Sequence, residues 1–131
     1  MPEIGIKGEL TETVTEEKTA AAVGSGDLRV YATPAMAALM EKTAMLSVAD
    51  TLESGKTTVG TRLDIEHSSA SPVGAQITCM SELIKAEGRR LVFVVTASDN
   101  AGEIGKGTHE RFIVDAERFF DKTSAKLEEK I

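Results

Sequence analysis

The chain has a single cysteine, Cys79, so no disulfide can form within it and a reducing compartment is the simpler expectation. Cations are in deficit, 15 Lys and Arg against 21 Asp and Glu, for a formal charge of −6. That balance opposes nonspecific nucleic-acid binding, which needs a basic footprint, but it leaves room for a local basic pocket for a phosphate-bearing cofactor. Long hydrophobic runs are missing too. The most apolar stretch, residues 34–52, is broken by Glu41, Lys42, Ser47 and Asp50 and is too polar to span a bilayer. The opening Met1-Pro2-Glu3-Ile4 lacks the basic-then-apolar order of a signal peptide. No nucleophile elbow, Walker loop, zinc-ligand spacing or dinucleotide fingerprint occurs. What is present is 131 residues, 41% hydrophobic and 27% charged. The expectation is a cytoplasmic protein with one domain over residues 1–131, long enough to bury a core.

Period and turn chemistry give the element order. Residues 8–20 alternate Thr, Val and Leu with Glu and Lys, as a strand with one wet face does. Gly24-Ser25-Gly26-Asp27 is turn material. Thr33 suits an N-cap and Pro34 the first helical position; Ser54-Gly55 ends a helix that is apolar around most of its circumference. Such a helix is expected to be buried on several sides. Strands follow at 57–67, 75–85, 90–98 and 103–114, joined by turns at 68–74, Glu87-Gly88 and 99–102. Leu91-Val92-Phe93-Val94-Val95 is apolar on both faces and suits a central strand. Residues 116–130 read as an amphipathic helix. The sum is an α+β fold, one long central helix embraced by an antiparallel sheet, with dimerisation through the sheet expected.

Three residues stand out against this frame. Thr33 is explained as an N-cap, yet the first helical turn also offers free amides and a positive dipole end to a developing oxyanion. Glu41 lies in an apolar segment, where it is either a buried carboxylate needing a partner or part of an exposed stripe with Lys42. Strand alternation puts Val59, Thr61, Leu63, Ile65 and His67 on one face, so His67 points at the helix as a core residue or a proton carrier. Eight helical residues hold Thr33 and Glu41 about 12 Å apart. They cannot share a hydrogen bond within one chain, and a site completed across a dimer interface relieves this. Cys79 reads as a small core residue. His109 and Glu110 read as solvated strand residues, while Gly105 and Gly107, sharing a face with Arg111, suggest a close approach.

Ala32-Thr33, Leu39-Met40-Glu41, Gly60-Thr61, His67, Glu87-Gly88-Arg89-Arg90-Leu91 and the run Glu103-Ile104-Gly105 with Gly107-Thr108-His109-Glu110-Arg111 carry a resemblance. From about Val30 to Phe119 the chain resembles the hotdog-fold acyl-CoA thioesterases, in particular the group around fluoroacetyl-CoA thioesterase. The resemblance implies a catalytic set of Thr33, Glu41 and His67, and an acyl pocket lined by Gly60 and Arg111. It also implies a homodimer, or a tetramer, with sites at the interface. The substrate it implies is an acyl-CoA, with no cofactor beyond the coenzyme A of the substrate itself and no nucleic-acid or membrane partner. The phenylalanines that gate the fluoroacetyl enzyme just before its threonine have no counterpart in Gly24-Ser25-Gly26-Asp27-Leu28, which points to general small-acyl hydrolysis. Arg89 and Arg90 are candidate contacts for the coenzyme A phosphates.

Two rivals are weighed. A hotdog hydratase uses an Asp/His pair, and Asp64 and His67 fall on opposite faces of their strand. A non-catalytic acyl-CoA binding module would need the pocket but neither Glu41 nor His67.

Overall fold

The computed structural model describes residues 1–130. Its elements in chain order are β1 (Lys7–Thr13), a 3-10 turn (Glu16–Lys18), α1 (Ala20–Val23), α2 (Thr33–Ala49), β2 (Lys56–His67), β3 (Gln76–Glu87), β4 (Arg90–Asp99), β5 (Gly102–Asp115) and α3 (Ala116–Ser124), then a 3-10 turn at Ala125–Lys130. The five strands form one antiparallel sheet in the order β1-β3-β4-β5-β2. β4 is central, and Leu91, Val92, Phe93 and Val95 are buried, as its two-sided apolar run requires.

α2 lies along the concave face of the sheet. Met36, Leu39, Met40, Thr43, Ala44 and Val48 recur at helical spacing and form its buried stripe. They pack on Ile77, Cys79, Leu83, Phe93, Val95 and Ile104 of the sheet. Gly8 and Gly105 let the layers come this close. A Cβ on Gly105 would lie 2.6 Å from the Met36 sulfur, and one on Gly8 would lie 2.8 Å from Ser47 Cβ. Among the described residues no helix is long and apolar enough to cross a membrane.

Several sequence expectations are corrected. The first strand stops at Thr13 rather than running to residue 20, because residues 16–23 turn into two short helical pieces. α2 is buried along one stripe rather than on several sides, leaving Leu46 46% exposed. The last helix ends at Ser124, and Phe119 and Phe120 remain largely exposed. The alternation assumed along β2 breaks at a bulge between Gly60 and Arg62. Leu63, Ile65 and His67 keep the inward face, but before the bulge that face belongs to Thr58 and Gly60 instead of Val59 and Thr61.

Candidate active site

Thr33 is not an N-cap. The helix starts on it, Ala32 holds the capping position without a side-chain bond, and Pro34 follows in the first turn. The Thr33 hydroxyl instead meets His67 Nδ1 at 2.7 Å. The first-turn amides are mostly taken: those of Ala35 and Met36 both donate to the Ala32 carbonyl, and Pro34 has none. Among the described residues, the Thr33 amide is the donor of this turn left without an acceptor.

His67 ends β2, half-buried, with Tyr31 meeting its ring edge-on at a centroid distance of 6.3 Å. Tyr31 is itself buried, and its hydroxyl donates to Glu12 at 2.6 Å; Lys18 holds the other oxygen of that carboxylate. Burial pushes the His67 imidazole below its ordinary pKa, with the Ser69 backbone pulling weakly the other way. Its Nε2 atom is buried without a hydrogen-bond partner. A cleft of about 250 Å³ opens beside this pair, lined by small side chains that include Ala20, Ser25, Ser69 and Ala70.

Glu41 belongs to a second cluster. It is half-buried, and among the described residues it makes no ion pair with Lys42. Its carboxylate faces Gly60 across the helix–sheet interface. A methyl on Gly60 would lie 3.0 Å from Glu41 Oε2, 3.2 Å from His109 Cε1 and 3.3 Å from Arg111 Nη1. Three polar side chains therefore converge on one small space, and glycine leaves it open.

Arg111 is 6% exposed and fixed by Thr58, donating through Nε to the hydroxyl at 2.8 Å and through Nη2 to the carbonyl at 2.9 Å. Its Nη1 lies 3.1 Å from His109 Nε2. An arginine can only donate, so Nε2 accepts, and the proton sits on Nδ1, which donates to the Arg62 carbonyl at 2.8 Å. His109 is thus neutral, and burial, together with the Arg111 charge, lowers its pKa against the pull of the Arg62 carbonyl and Glu41. The expectation of a solvated His109 is overturned: it is 1% exposed. Glu110 points the other way and pairs with Arg90 at 2.9 Å.

The five residues singled out in the sequence thus fall into two groups, Thr33 with His67 and Glu41 with Gly60 and Arg111. Six strand residues, one of them at the bulge, lie between Gly60 and His67, a span of about 20 Å. Tyr31, Thr58 and His109 were missed as supporting residues. The run Gly105, Gly107, His109, Arg111 on one strand face was a readable signal for His109, but nothing local marked the other two. Asp64 is exposed on the outer face, opposite His67, as strand parity required.

Residues 14–117 match the family of fluoroacetyl-CoA-specific thioesterases, FlK. The chain is 41% identical over 97 residues to the fluoroacetyl-CoA thioesterase of Streptantibioticus cattleyicolor, covering 74% of this chain and 70% of that protein. A solved structure of the fluoroacetyl-CoA thioesterase FlK superposes with a TM-score of 0.90 at 33% identity, over 96% of this chain and 98% of that one. A thioesterase superfamily member of Thermus thermophilus gives 0.89 at 26% identity, over 99% and 97%. With that match along most of its length and one helix held in a five-stranded antiparallel sheet, the chain belongs to the fluoroacetyl-CoA-specific thioesterase family and is a hotdog-fold acyl-CoA thioesterase.

Proposed function

We propose that this thioesterase, as one domain over residues 1–131, hydrolyses small acyl-CoA thioesters to the free acid and coenzyme A. Its site combines Glu41, Gly60 and Arg111 of one subunit with Thr33 and His67 of the partner subunit. The observation that carries this reading is the 2.7 Å contact between the Thr33 hydroxyl and His67 Nδ1, made by a threonine the helix does not use as a cap. Structures of FlK have been solved with acetyl-CoA and with fluoroacetate and coenzyme A, which supports a coenzyme A ester as substrate here.

Each residue has a role in the reaction. Neutral His67 takes a proton from water or from the Thr33 hydroxyl and returns one to the departing thiolate. Glu41 attacks the thioester carbonyl or activates the water that does. Arg111, held by Thr58 and His109, supplies positive charge beside the forming oxyanion, and the free Thr33 amide supplies a donor. Gly60 leaves room for the acyl group. No cofactor enters the reaction. The small residues of the cleft beside His67, Ser25 among them, suit acyl groups broader than fluoroacetyl.

Dimerisation follows from the edge. β2 is an outer strand of the sheet, 12 residues long, with its free side open to pairing. Pairing it antiparallel with its own copy sets the Gly60 end of one chain against the His67 end of the other. The assembly is a homodimer, or a tetramer built of two such dimers. A cytoplasmic setting suits the free, buried Cys79.

The test is release of free coenzyme A from a panel of short acyl-CoAs by the wild type, His67→Ala and Glu41→Ala. Both variants should lose at least about a hundredfold in kcat while remaining folded. Undiminished turnover in either variant would remove that residue from the chemistry.

A further inference from the structure

The open edge of β2 carries charges that its own chain does not pair. Beyond the bulge its outward side chains are Arg62, Asp64 and Glu66, all exposed, and its inward ones are Leu63, Ile65 and His67, all half-buried. Among the described residues none of Arg62, Asp64 and Glu66 takes part in an ion pair. Their neighbours on β5 are Glu110, Thr108 and Lys106. Glu110, the carboxylate opposite Arg62, is held by Arg90 at 2.9 Å. The backbone has a direction too. The Ser68 amide donates to the Ile104 carbonyl at 2.7 Å, which continues the register of Arg62 with Glu110, Asp64 with Thr108 and Glu66 with Lys106. In an antiparallel ladder every second residue bonds to a given neighbour, so Leu63, Ile65 and His67 turn their amides and carbonyls to the open edge. A second copy of β2 presents the same groups.

We propose that two copies of β2 pair about a two-fold axis at Asp64, with Arg62 of each chain set against Glu66 of the partner subunit. The inference rests on the shared-site reading above and adds the register that builds the site. Side chains directly opposite across an antiparallel pair share a face, so a symmetric pairing has its axis at a residue, and each choice opposes different charges. An axis at Ile65 sets Asp64 against Glu66 twice, like charge on like. Axes at Arg62 or Glu66 oppose that residue to its own copy and form no opposite-charge pair. An axis at Leu63 carries His67 of the partner subunit past Gly60, to Thr58. An axis at Asp64 brings it opposite Gly60, because Thr61, the extra residue of the bulge, takes up the mismatch of one position. On the inner face that axis lays Leu63 against Ile65 of the partner subunit and buries two half-exposed apolar pairs. On the outer face it makes two opposite-charge pairs, Arg62 with Glu66 of the partner subunit, around one like-charge contact of Asp64 with its own copy. The bulge that turns Gly60 toward Glu41 and Arg111 is thus also what lets the partner subunit's His67 arrive opposite it.

The test reads association, not turnover. Sedimentation equilibrium at low ionic strength, where exposed charges are least screened, gives the dimer dissociation constant. Glu66→Arg and Arg62→Glu should each raise it at least about tenfold, since each turns two attractive pairs into repulsive ones. Arg62→Glu/Glu66→Arg should return it to within about threefold of the wild type, and Asp64→Asn should lower it at least about twofold by relieving the like-charge contact. An axis at Leu63 gives the reverse pattern, with Asp64→Asn weakening the dimer and Glu66→Arg leaving it unchanged. That result overturns the assignment, as does a double variant no better than the single ones. Asp64→Cys reads the register even where the dimer is too tight to dissociate. The backbone of Asp64 faces β5, so about its axis the two Cα atoms form a pair without hydrogen bonds, about 4.5 Å apart, and mild oxidation should link most chains as disulfide dimers. Any other axis separates them by about 8 Å or more, beyond the reach of a disulfide, and chains that stay unlinked overturn the register. The wild type, whose one cysteine is buried, is the control. An enzyme inert on every thioester leaves these readouts unchanged, so failure of the register and failure of the thioesterase reading are told apart.

Discussion

At the scale of single residues, Thr33 separates a structural role from a chemical one. A capping threonine replaced by alanine costs about 1 kcal/mol, whereas this one leaves the cap to Ala32 and spends its hydroxyl on His67. Thr33→Ala should therefore cost less than about 0.5 kcal/mol in denaturant unfolding while lowering kcat at least about tenfold, with Thr33→Ser retaining most of the rate. A loss of stability matching the loss of rate would restore the capping role. The His67 imidazole makes a second prediction. Burial disfavours its charged form, so the neutral base survives to lower pH than a free imidazole does. The acid limb of kcat/KM should have its midpoint below pH 6.5, the ordinary value. The linkage has the same sign. Below pH 6.5 the unfolded chain binds protons that buried His67 and His109 do not, so stability falls as pH drops from there toward their native pKa values. His109→Gln should flatten that fall, as measured by unfolding midpoints at pH 7.5 and pH 5.

At the scale of elements, the bulge in β2 decides which side chains meet. Strand pairing passes from Gly60 with Arg111 to Arg62 with Glu110, so Thr61 is the extra residue. It lets Thr58 and Gly60 face the helix on one side of the bulge and Leu63, Ile65 and His67 on the other. Deleting Thr61 leaves Gly60 and Leu63 two positions apart, so ordinary alternation keeps both sets inward without a bulge. The deletion variant should therefore keep cooperative unfolding and thioesterase activity, and a variant that loses both would show that the bulge itself, beyond the parity it corrects, holds the strand in place. Period-two reading located His67 correctly but gave Val59 and Thr61 the wrong face, because a bulge has no signature in local composition. The same limit hid Thr58, whose hydroxyl fixes Arg111 from 53 positions away.

For the whole molecule, the two halves of the proposed site set the prediction. If Glu41 works with His67 of the partner subunit, two dead variants contain one good site between them. Refolding Glu41→Ala and His67→Ala together in equal amounts should restore about a quarter of wild-type activity: half the dimers are mixed, and each holds one intact site of two. Activity that stays at the level of the separate variants would place both residues in one chain's site.

Much of this protein is written locally. Turn residues at 68–74, 87–88 and 99–102 delimit the strands, the apolar run at 91–95 marks the central one, and residues 33–49 carry an uninterrupted helical pattern. Those features follow from backbone preference and side-chain period, which act over a few residues. The chain order alone thereby determined one helix, an antiparallel sheet and an inward-facing His67. The tertiary structure decided the rest, because each remaining fact is a contact between distant positions. Thr33 finds His67 rather than its own helix, and His109 turns inward to receive Arg111. The converging atoms over Gly60 come from three separate elements. Only packing the helix into the sheet brings those groups within reach of one another, and no local preference encodes the distances that result.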